Sequence, residues 1–171
     1  MKKRFKVLVA GAFDSGKTTF VKTANSEEFD GVEVPNFDVE ELREIEGTTT
    51  IGLDISNVKL GDKEFLLVGL PGQKRFSFLW DTLGSDFDAI ILLHSAEHPV
   101  EETKFYIDYF SKTPAWEKAK KLIVLTKTDL YPDFDKQKLA SFGIPVLSCD
   151  PRNRKEVEGV LQFLYNVATP L

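Results

Sequence analysis

The stretch GAFDSGKT, residues 11–18, decides how the rest of this chain is interpreted. It satisfies the pattern G-x-x-x-x-G-K-[ST], with an apolar run at 5–10 before it and helical spacing at 17–25 after it. Gly11 and Gly16 let the backbone curl so that successive N–H groups point at one anion, and the positive end of the following helix adds to the same field. The context predicts a phosphate-binding loop. The alternative is a glycine turn with an exposed lysine.

Within such a loop the lysine and the hydroxyl residue have separate roles. Lys17 is predicted to reach the β- and γ-phosphates of a nucleotide, and the Thr18 hydroxyl is predicted to ligate Mg²⁺. A phosphate loop alone leaves small-molecule kinases, ATPases and GTPases open. The predicted phosphate-binding residues are Gly11, Asp14, Ser15, Gly16, Lys17, Thr18 and Thr19.

Short apolar runs alternate with stretches of helical spacing along nearly the whole chain. This alternation predicts an α/β fold, in which a mostly parallel six-stranded sheet is covered by helices on both faces. Gly61-Asp62 predicts a tight hairpin turn, which makes one edge strand antiparallel. The predicted strands lie at 5–10, 50–60, 63–70, 88–95, 121–127 and 144–149, and the predicted helices at 17–25, 74–84, 100–113, 134–141 and 154–168.

The composition favours one domain and disfavours several classes of function. The chain has 171 residues, of which 42% are hydrophobic, so residues 1–171 are predicted to form a single domain. Segment 26–49 holds nine carboxylates against Arg43, and no concentrated basic face is present, which argues against a nucleic-acid partner. Cys149 is the single cysteine, so no intrachain disulfide is expected. The absence of a long apolar run, a signal-peptide core or a lipid signal predicts a cytoplasmic protein without a transmembrane segment or lipid anchor.

A second motif, Thr126-Lys127-Thr128-Asp129, follows the fifth apolar run. The Asp129 carboxylate can accept hydrogen bonds from guanine N1–H and from the exocyclic amine, whereas adenine presents an acceptor at N1 and no amine at C2. The Lys127 stem can lie over the base or the ribose. The motif therefore predicts guanine binding. The alternative is a polar loop with a helix-capping aspartate.

With these two motifs in place the chain resembles the Ras-like small GTPases over almost its whole length. The family's switch I threonine is Thr50 in TIGLD, and its switch II core survives as PGQ, residues 71–73. The wording GLPGQKRFSFLWD at 69–81 is similar to a prokaryotic branch that reads G-T-P-G-Q-x-R-F. The resemblance implies a P-loop NTPase fold, Mg²⁺ as cofactor, and a molecular switch that hydrolyses GTP and acts through a protein partner.

The resemblance also implies how hydrolysis would proceed and where a partner would bind. The catalytic residues it implies are Gln73, which orients water, Gly72, whose amide contacts the γ-phosphate, and Lys17, which offsets charge. Residues 26–50 and 70–84 would be the switch segments that meet an effector or regulator.

Two other functions remain open. Gly69 and Phe13 depart from the family pattern and favour a GTP-binding interaction module with little hydrolysis. A P-loop small-molecule kinase would be expected to carry an arginine-rich lid, and segment 26–49 is acidic instead.

The metal site contains the sharpest departure, because Gly69 stands where the family has an aspartate. If Gly61-Asp62 is a two-residue turn, counting outward along the antiparallel pair places Asp54 opposite Gly69, on the same face. Asp54 can then supply the missing charge next to the water shell of Mg²⁺. The alternatives are a bulge that shifts the register and a surface aspartate pointing elsewhere. The predicted metal-binding residues are Thr18, Thr50 and Asp54.

The last base loop also departs from the family, whose S-A-K motif donates the alanine N–H to guanine O6. Aligned without gaps, the motif falls on Asp150-Pro151-Arg152, where proline has no N–H to give. A shift of two residues restores a donor at Cys149 but loses the basic residue. Both registers stay open. The predicted base-binding residues are Thr126, Lys127, Asp129, Cys149, Asp150 and Arg152.

His94 and His98 follow a strand without a nearby cysteine or a second pair of metal ligands. Their spacing predicts a loop role rather than zinc binding or general-base chemistry.

Overall fold

The computed structural model of the protein describes residues 4–12, 14–25, 54–70 and 87–166. Six strands form one sheet in the order β2-β3-β1-β4-β5-β6, with β2 antiparallel to β3 and every other pair parallel. The strands are β1 (Phe5–Gly11), β2 (Asp54–Leu60), β3 (Lys63–Gly69), β4 (Ala89–Ser95), β5 (Lys120–Thr126) and β6 (Val146–Ser148). The predicted α/β class and the antiparallel edge strand are confirmed.

Helices cover both faces of this sheet, as the alternation predicts. The described helices are α1 (Lys17–Ala24), α2 (Glu101–Phe110), α3 (Lys136–Ala140) and α4 (Arg154–Asn166). On one face α1 and α4 pack against the sheet, with Phe20 and Leu161 fully buried. On the other face α2 and α3 contribute Phe110 and Leu139 to a second core. None of the helices within the described ranges is long and apolar enough to cross a membrane.

The β2–β3 hairpin has the register that the two-residue turn predicts. Leu60 pairs with Lys63, the ladder continues in step, and Asp54 pairs with Gly69 at its far end. Gly61 has φ +63°, a left-handed conformation that glycine adopts at little cost in such a turn. No bulge interrupts the ladder between Asp54 and Leu60, so the alternative of a shifted register is wrong.

Several predicted boundaries shift for local chemical reasons. Strand β6 begins at Val146 because Pro145 has no N–H, although its carbonyl still accepts from Ile123 N–H at 2.9 Å. Helix α3 begins after Asp135, whose carboxylate accepts from the amide of Gln137 at 3.0 Å. The predicted helix at 74–84 lies outside the described residues.

Candidate functional site

The phosphate loop connects the buried strand β1 to helix α1, and Gly11 stands at the junction. Gly11 has φ +145°, and a Cβ there would lie 2.4 Å from the carbonyl oxygen of Leu93 and 2.9 Å from Ser15 Oγ. Gly16 has φ +101° immediately before the helix. Both positions therefore require glycine, and the loop curls as the motif predicts.

Lys17 is the first residue of α1 and is almost fully buried. Its ammonium group donates to the carbonyl oxygens of Gly11 at 2.7 Å and of Ala12 at 2.6 Å, so it lies inside the curl of the loop. Burial lowers the pKa of Lys17 to about 8, and the nearby carboxylates of Asp14 and Asp54 partly oppose this shift. The positive charge of Lys17 therefore lies inside the loop, where a bound anion would stabilise it.

Asp54 lies directly beside the phosphate loop. Thr18 Oγ1 donates a hydrogen bond to Asp54 Oδ2 at 2.7 Å. A Cβ added at Gly69 would be 3.3 Å from the Cβ of Asp54 and 3.2 Å from Cγ2 of Val21, so a side chain at position 69 would crowd both residues. The alternative of a surface aspartate pointing elsewhere is wrong for Asp54.

The loop that carries the predicted guanine-binding motif, residues 126–129, is called the base loop here. Two of its side chains connect it to the phosphate loop. The hydroxyl of Thr126 is fully buried and donates to the carbonyl of Ser15 at 2.9 Å. Lys127 adopts the left-handed conformation, with φ +62°, and its ammonium donates to the carbonyl of Asp14 at 3.1 Å and to Glu97 Oε1 at 2.6 Å. The hydrogen bond with Glu97 raises the pKa of Lys127. Thr126 thus positions the phosphate loop instead of presenting its hydroxyl to a base.

Sequence reasoning missed Glu97 as a site residue and gave His98 only a loop role. Glu97 accepts from Lys127 and, at 3.0 Å, from Ser95 Oγ, and these two hydrogen bonds lower its pKa. His98 Nε2 lies 2.7 Å from Asp14 Oδ1. No motif marks either residue. Their contacts arise because the loops after β1, β4 and β5 meet at one edge of the sheet.

His94 is a buried residue of strand β4, so the loop role predicted for it is wrong. Its Nε2 faces the carbonyl of His98 at 3.0 Å, and its Nδ1 lies 2.7 Å from the Thr103 hydroxyl. A carbonyl can only accept, so Nε2 carries the proton and Nδ1 accepts from Thr103. Burial lowers the pKa of His94, which keeps the ring neutral. The ring thereby shapes the loop that carries Glu97 and His98.

In the last loop, residues 149–152, the backbone N–H groups donate hydrogen bonds within the protein. The amide of Cys149 donates to the carbonyl of Leu125 at 3.0 Å, so the shifted register, in which Cys149 would donate to a base, is disfavoured. Burial raises the pKa of the Cys149 thiol to about 12, so the thiol stays protonated. The ring of Pro151 lies 3.1 Å from the position of a Cβ on Gly16, so the loop packs directly against the phosphate loop.

A cavity of about 490 Å³ lies between these three loops. Its volume is within the range of small-molecule and cofactor sites. Among the residues that line it are Gly16, Thr19, Lys127, Asp129, Cys149 and Arg152. The structure thus brings all six predicted base-binding residues to one opening, together with Ser15, Gly16 and Thr19 of the seven predicted phosphate-binding residues.

The other predicted site residues lie outside the described residues. They are Thr50, Gly72 and Gln73, together with the proposed partner segments 26–50 and 70–84 apart from Leu70.

The fold and the loop around Lys17 together define a P-loop domain, in which a glycine-containing loop connects the first strand of a mostly parallel sheet to a helix. The chain is similar to ADP-ribosylation factor-related protein 1 of Bos taurus, with 25% identity over 134 residues, 75% of this chain and 62% of that protein. It is 28% identical over 93 residues to the same protein of Homo sapiens, covering 53% of this chain and 41% of the relative. The chain thus spans less than two thirds of the length of these relatives. No family model matches the sequence.

Two solved structures share the fold. The Arl6 BBS3 small GTPase from Trypanosoma brucei, described with the bound nucleotide analogue GppNp, matches with a TM-score of 0.64 at 18% identity, over 95% of this chain and 96% of that one. A bacterial selenocysteine-specific elongation factor, EF-Sec, matches with a TM-score of 0.68 at 18% identity, over 100% of this chain and 30% of that one.

Proposed function

We propose that this protein binds GTP and hydrolyses it to GDP and phosphate, as a molecular switch that acts through a protein partner. The observation that carries the proposal is the cavity that joins the phosphate loop to the loop of Lys127 and Asp129. The likeness to a small GTPase described with a GTP analogue supports it. We also infer that the chain is nearest the prokaryotic branch of the Ras-like family, and the similarity of residues 69–81 to the switch II sequence of that branch supports this inference.

Mg²⁺ is the metal that fits the residues present. Thr18 and Asp54 offer a hydroxyl and a carboxylate at hydrogen-bond distance, which are the hard oxygen ligands that Mg²⁺ prefers. Asp54 replaces the charge that Gly69 cannot provide, and Thr50 would complete the site. When bound, the metal neutralises negative charge on the phosphate oxygens.

The protein's own contribution to hydrolysis is positioning. Lys17 holds a positive charge in the curl of the loop, and Gly72 and Gln73 are assigned to the γ-phosphate and to the attacking water. Residues 26–50 and 70–84 are assigned to the effector or regulator. Residues 1–171 are taken as one cytoplasmic domain with slow intrinsic turnover.

Competition binding at matched Mg²⁺ tests the nucleotide assignment. Labelled GDP would be displaced by unlabelled GDP, GTP, ADP or ATP. We expect guanine nucleotides to compete at concentrations at least a hundredfold lower than adenine nucleotides, because Asp129 would remain unpaired against adenine. Equal or better competition by ADP would overturn the assignment.

Single-turnover hydrolysis tests the enzymatic part. The protein, in excess over GTP, is expected to produce GDP with Mg²⁺ and to lose this activity with a chelator, and Gln73→Leu is expected to slow the reaction. A second candidate function, a GTP-binding interaction module without hydrolysis, is favoured by the absence of a side chain at Gly69. It would replace the first if GTP bound tightly and stayed intact. A kinase for a small metabolite is third, since segment 26–49 is acidic.

A further inference from the structure

We propose that the guanidinium group of Arg152 donates the hydrogen bond to guanine O6 that a backbone amide supplies in the resembled family. This inference rests on the proposed function, because it assumes a guanine nucleotide in the cavity. It makes Arg152 a determinant of base specificity, together with Asp129.

The backbone of the last loop has few donors left for a base. Cys149 N–H is engaged by Leu125, and Asp150 N–H donates to Glu156 Oε1 at 3.1 Å. Pro151 carries no N–H. Arg152 N–H donates to Asp150 Oδ1 at 2.9 Å. A ligand acceptor such as O6 therefore meets no free main-chain donor between residues 149 and 152.

The side chain of Arg152 is held in a defined direction. Its Nε donates to Asp150 Oδ1 and its Nη2 to Asp150 Oδ2, both at 3.0 Å, a bidentate arrangement that fixes the plane of the guanidinium. A guanidinium has five N–H donors, so this pairing leaves others free for a ligand. Asp150, which was predicted to contact the base, acts here by orienting Arg152.

Arg152 also lies beside the residue predicted to recognise guanine. Its Nη2 is 3.9 Å from Asp129 Oδ2, and both side chains line the cavity. Arg152 is 72% exposed and Asp129 66% exposed, so neither is committed to the protein core. The cavity thus presents one donor group and one acceptor group next to each other.

This pair is complementary to the edge of guanine. The carboxylate can accept from N1–H and from the exocyclic amine, while the neighbouring guanidinium donates to O6, an acceptor that arginine also contacts in nucleic acids. Adenine presents an amine at the position of O6 and an acceptor at N1, so both protein groups would face the wrong partner. A site built on such pairs rejects the mismatched base strongly.

Two ligands that differ at one atom test the proposal. GDP and 6-thio-GDP share N1–H and the exocyclic amine, but sulfur at position 6 is the weaker acceptor. We expect the parent protein to prefer GDP, and Arg152→Ala to lose about tenfold in GDP affinity, as for a hydrogen bond to a charged group. Its affinity for 6-thio-GDP should fall less, so the preference shrinks towards one. Arg152→Lys should keep part of the preference.

Arg154→Ala is the matched control, because Arg154 is an exposed arginine that lies 3.6 Å from Glu158 on helix α4. It should leave both affinities unchanged, and thermal unfolding of each variant verifies the fold. If Arg152→Ala retains the parental preference for GDP over 6-thio-GDP, the inference is wrong while the proposed function stands. If the parent protein does not prefer GDP to ADP, both fail.

Discussion

Thr18 and Asp54 are joined by a hydrogen bond of 2.7 Å, although 36 residues separate them in the chain. One is the hydroxyl residue at the end of the phosphate loop, and the other is the first residue of an antiparallel edge strand. Asp54 pairs with Gly69, where an added Cβ would lie only 3.3 Å from the Cβ of Asp54, so the glycine avoids crowding of the aspartate. In the resembled family the aspartate stands at the position of Gly69, at the end of β3. Here the carboxylate is that of Asp54, at the start of the neighbouring strand β2.

Asp54→Asn should weaken the effect of Mg²⁺ on nucleotide binding. A group that orients metal ligands contributes tenfold or more to metal affinity, so we expect GDP release in Mg²⁺ to become about tenfold faster, while release in chelator changes little. Stopped-flow release of a fluorescent GDP measures both rates. Asp62→Asn, in the hairpin turn at the opposite end of the strand pair, is the control. An unchanged response of Asp54→Asn to Mg²⁺ would contradict the assignment.

Nucleotide affinity should fall as the pH rises through about 8. Burial lowers the pKa of Lys17 to about 8 in the protein without nucleotide, whereas the charged form is the one that phosphates favour. Below that pH the lysine is already protonated; above it, binding must take up a proton, so the affinity for GDP is expected to drop by up to tenfold per pH unit. Titrations between pH 7 and 10 measure this. Lys17→Arg, which stays charged, should flatten the profile. A flat parental profile would refute the prediction.

Gly11→Ala should destabilise the fold severely. The added Cβ would meet the Leu93 carbonyl oxygen at 2.4 Å, a backbone atom that does not move aside easily. We expect a loss of about 3 kcal/mol in the free energy of unfolding, at the upper end of overpacking costs. Gly143→Ala is the control, since Gly143 has φ +78° and an added Cβ would meet none of the described residues within 4 Å apart from its chain neighbours. It should lose about 1–2 kcal/mol from conformation alone. Urea unfolding separates the two, and equal losses would count against the steric explanation.

Thr126→Val should destabilise the contact between the base loop and the phosphate loop. The substitution keeps the shape but removes the donor to the buried Ser15 carbonyl, so we expect a loss of about 1–3 kcal/mol in stability and weaker GDP binding. Thr128→Val, two residues further in the same loop, should change stability by less than about 0.5 kcal/mol. Calorimetry with and without GDP measures both effects. If the two variants were equally stable, the buried hydrogen bond would have no special role.

Glu97→Gln should speed nucleotide release modestly. The substitution removes the charge that holds the Lys127 ammonium beside the phosphate loop, but the pair is partly exposed, so we expect release to become about two- to threefold faster. The difference should shrink at high salt, because screening weakens exposed ion pairs. Glu101→Gln, in the first turn of helix α2, serves as the comparison. Release unchanged at low salt would show that Glu97 does not position Lys127.

The described strands and helices could be predicted from the sequence because each depends on local spacing. The two glycines of the phosphate loop, the Gly61-Asp62 turn and the apolar runs act through backbone conformation and burial of neighbouring residues. The pairing of Asp54 with Gly69 was also accessible, since a two-residue turn fixes every later pair in an antiparallel ladder. The starts of β6 and α3 were predicted less accurately, because the missing N–H of Pro145 sets the first and a single hydrogen bond to the Asp135 carboxylate sets the second.

The contacts between loops could not be read in the same way. Glu97 meets Lys127, His98 meets Asp14, and Arg152 meets Asp129 only because parallel strands end at one edge of the sheet. These pairs are separated by many residues, and no periodic pattern connects them.

The sequence by itself determined the phosphate loop and the succession of the described strands and helices along the chain, because these follow from residue type and short-range spacing. It also predicted the hairpin register from the two-residue turn, and the structure excluded the bulge that would have shifted it. The tertiary structure alone decided that the Asp54 carboxylate reaches Thr18 and that Arg152 stands beside Asp129. The physical reason is that a side chain's partner across loops depends on how strands are placed in the sheet, which no local preference specifies.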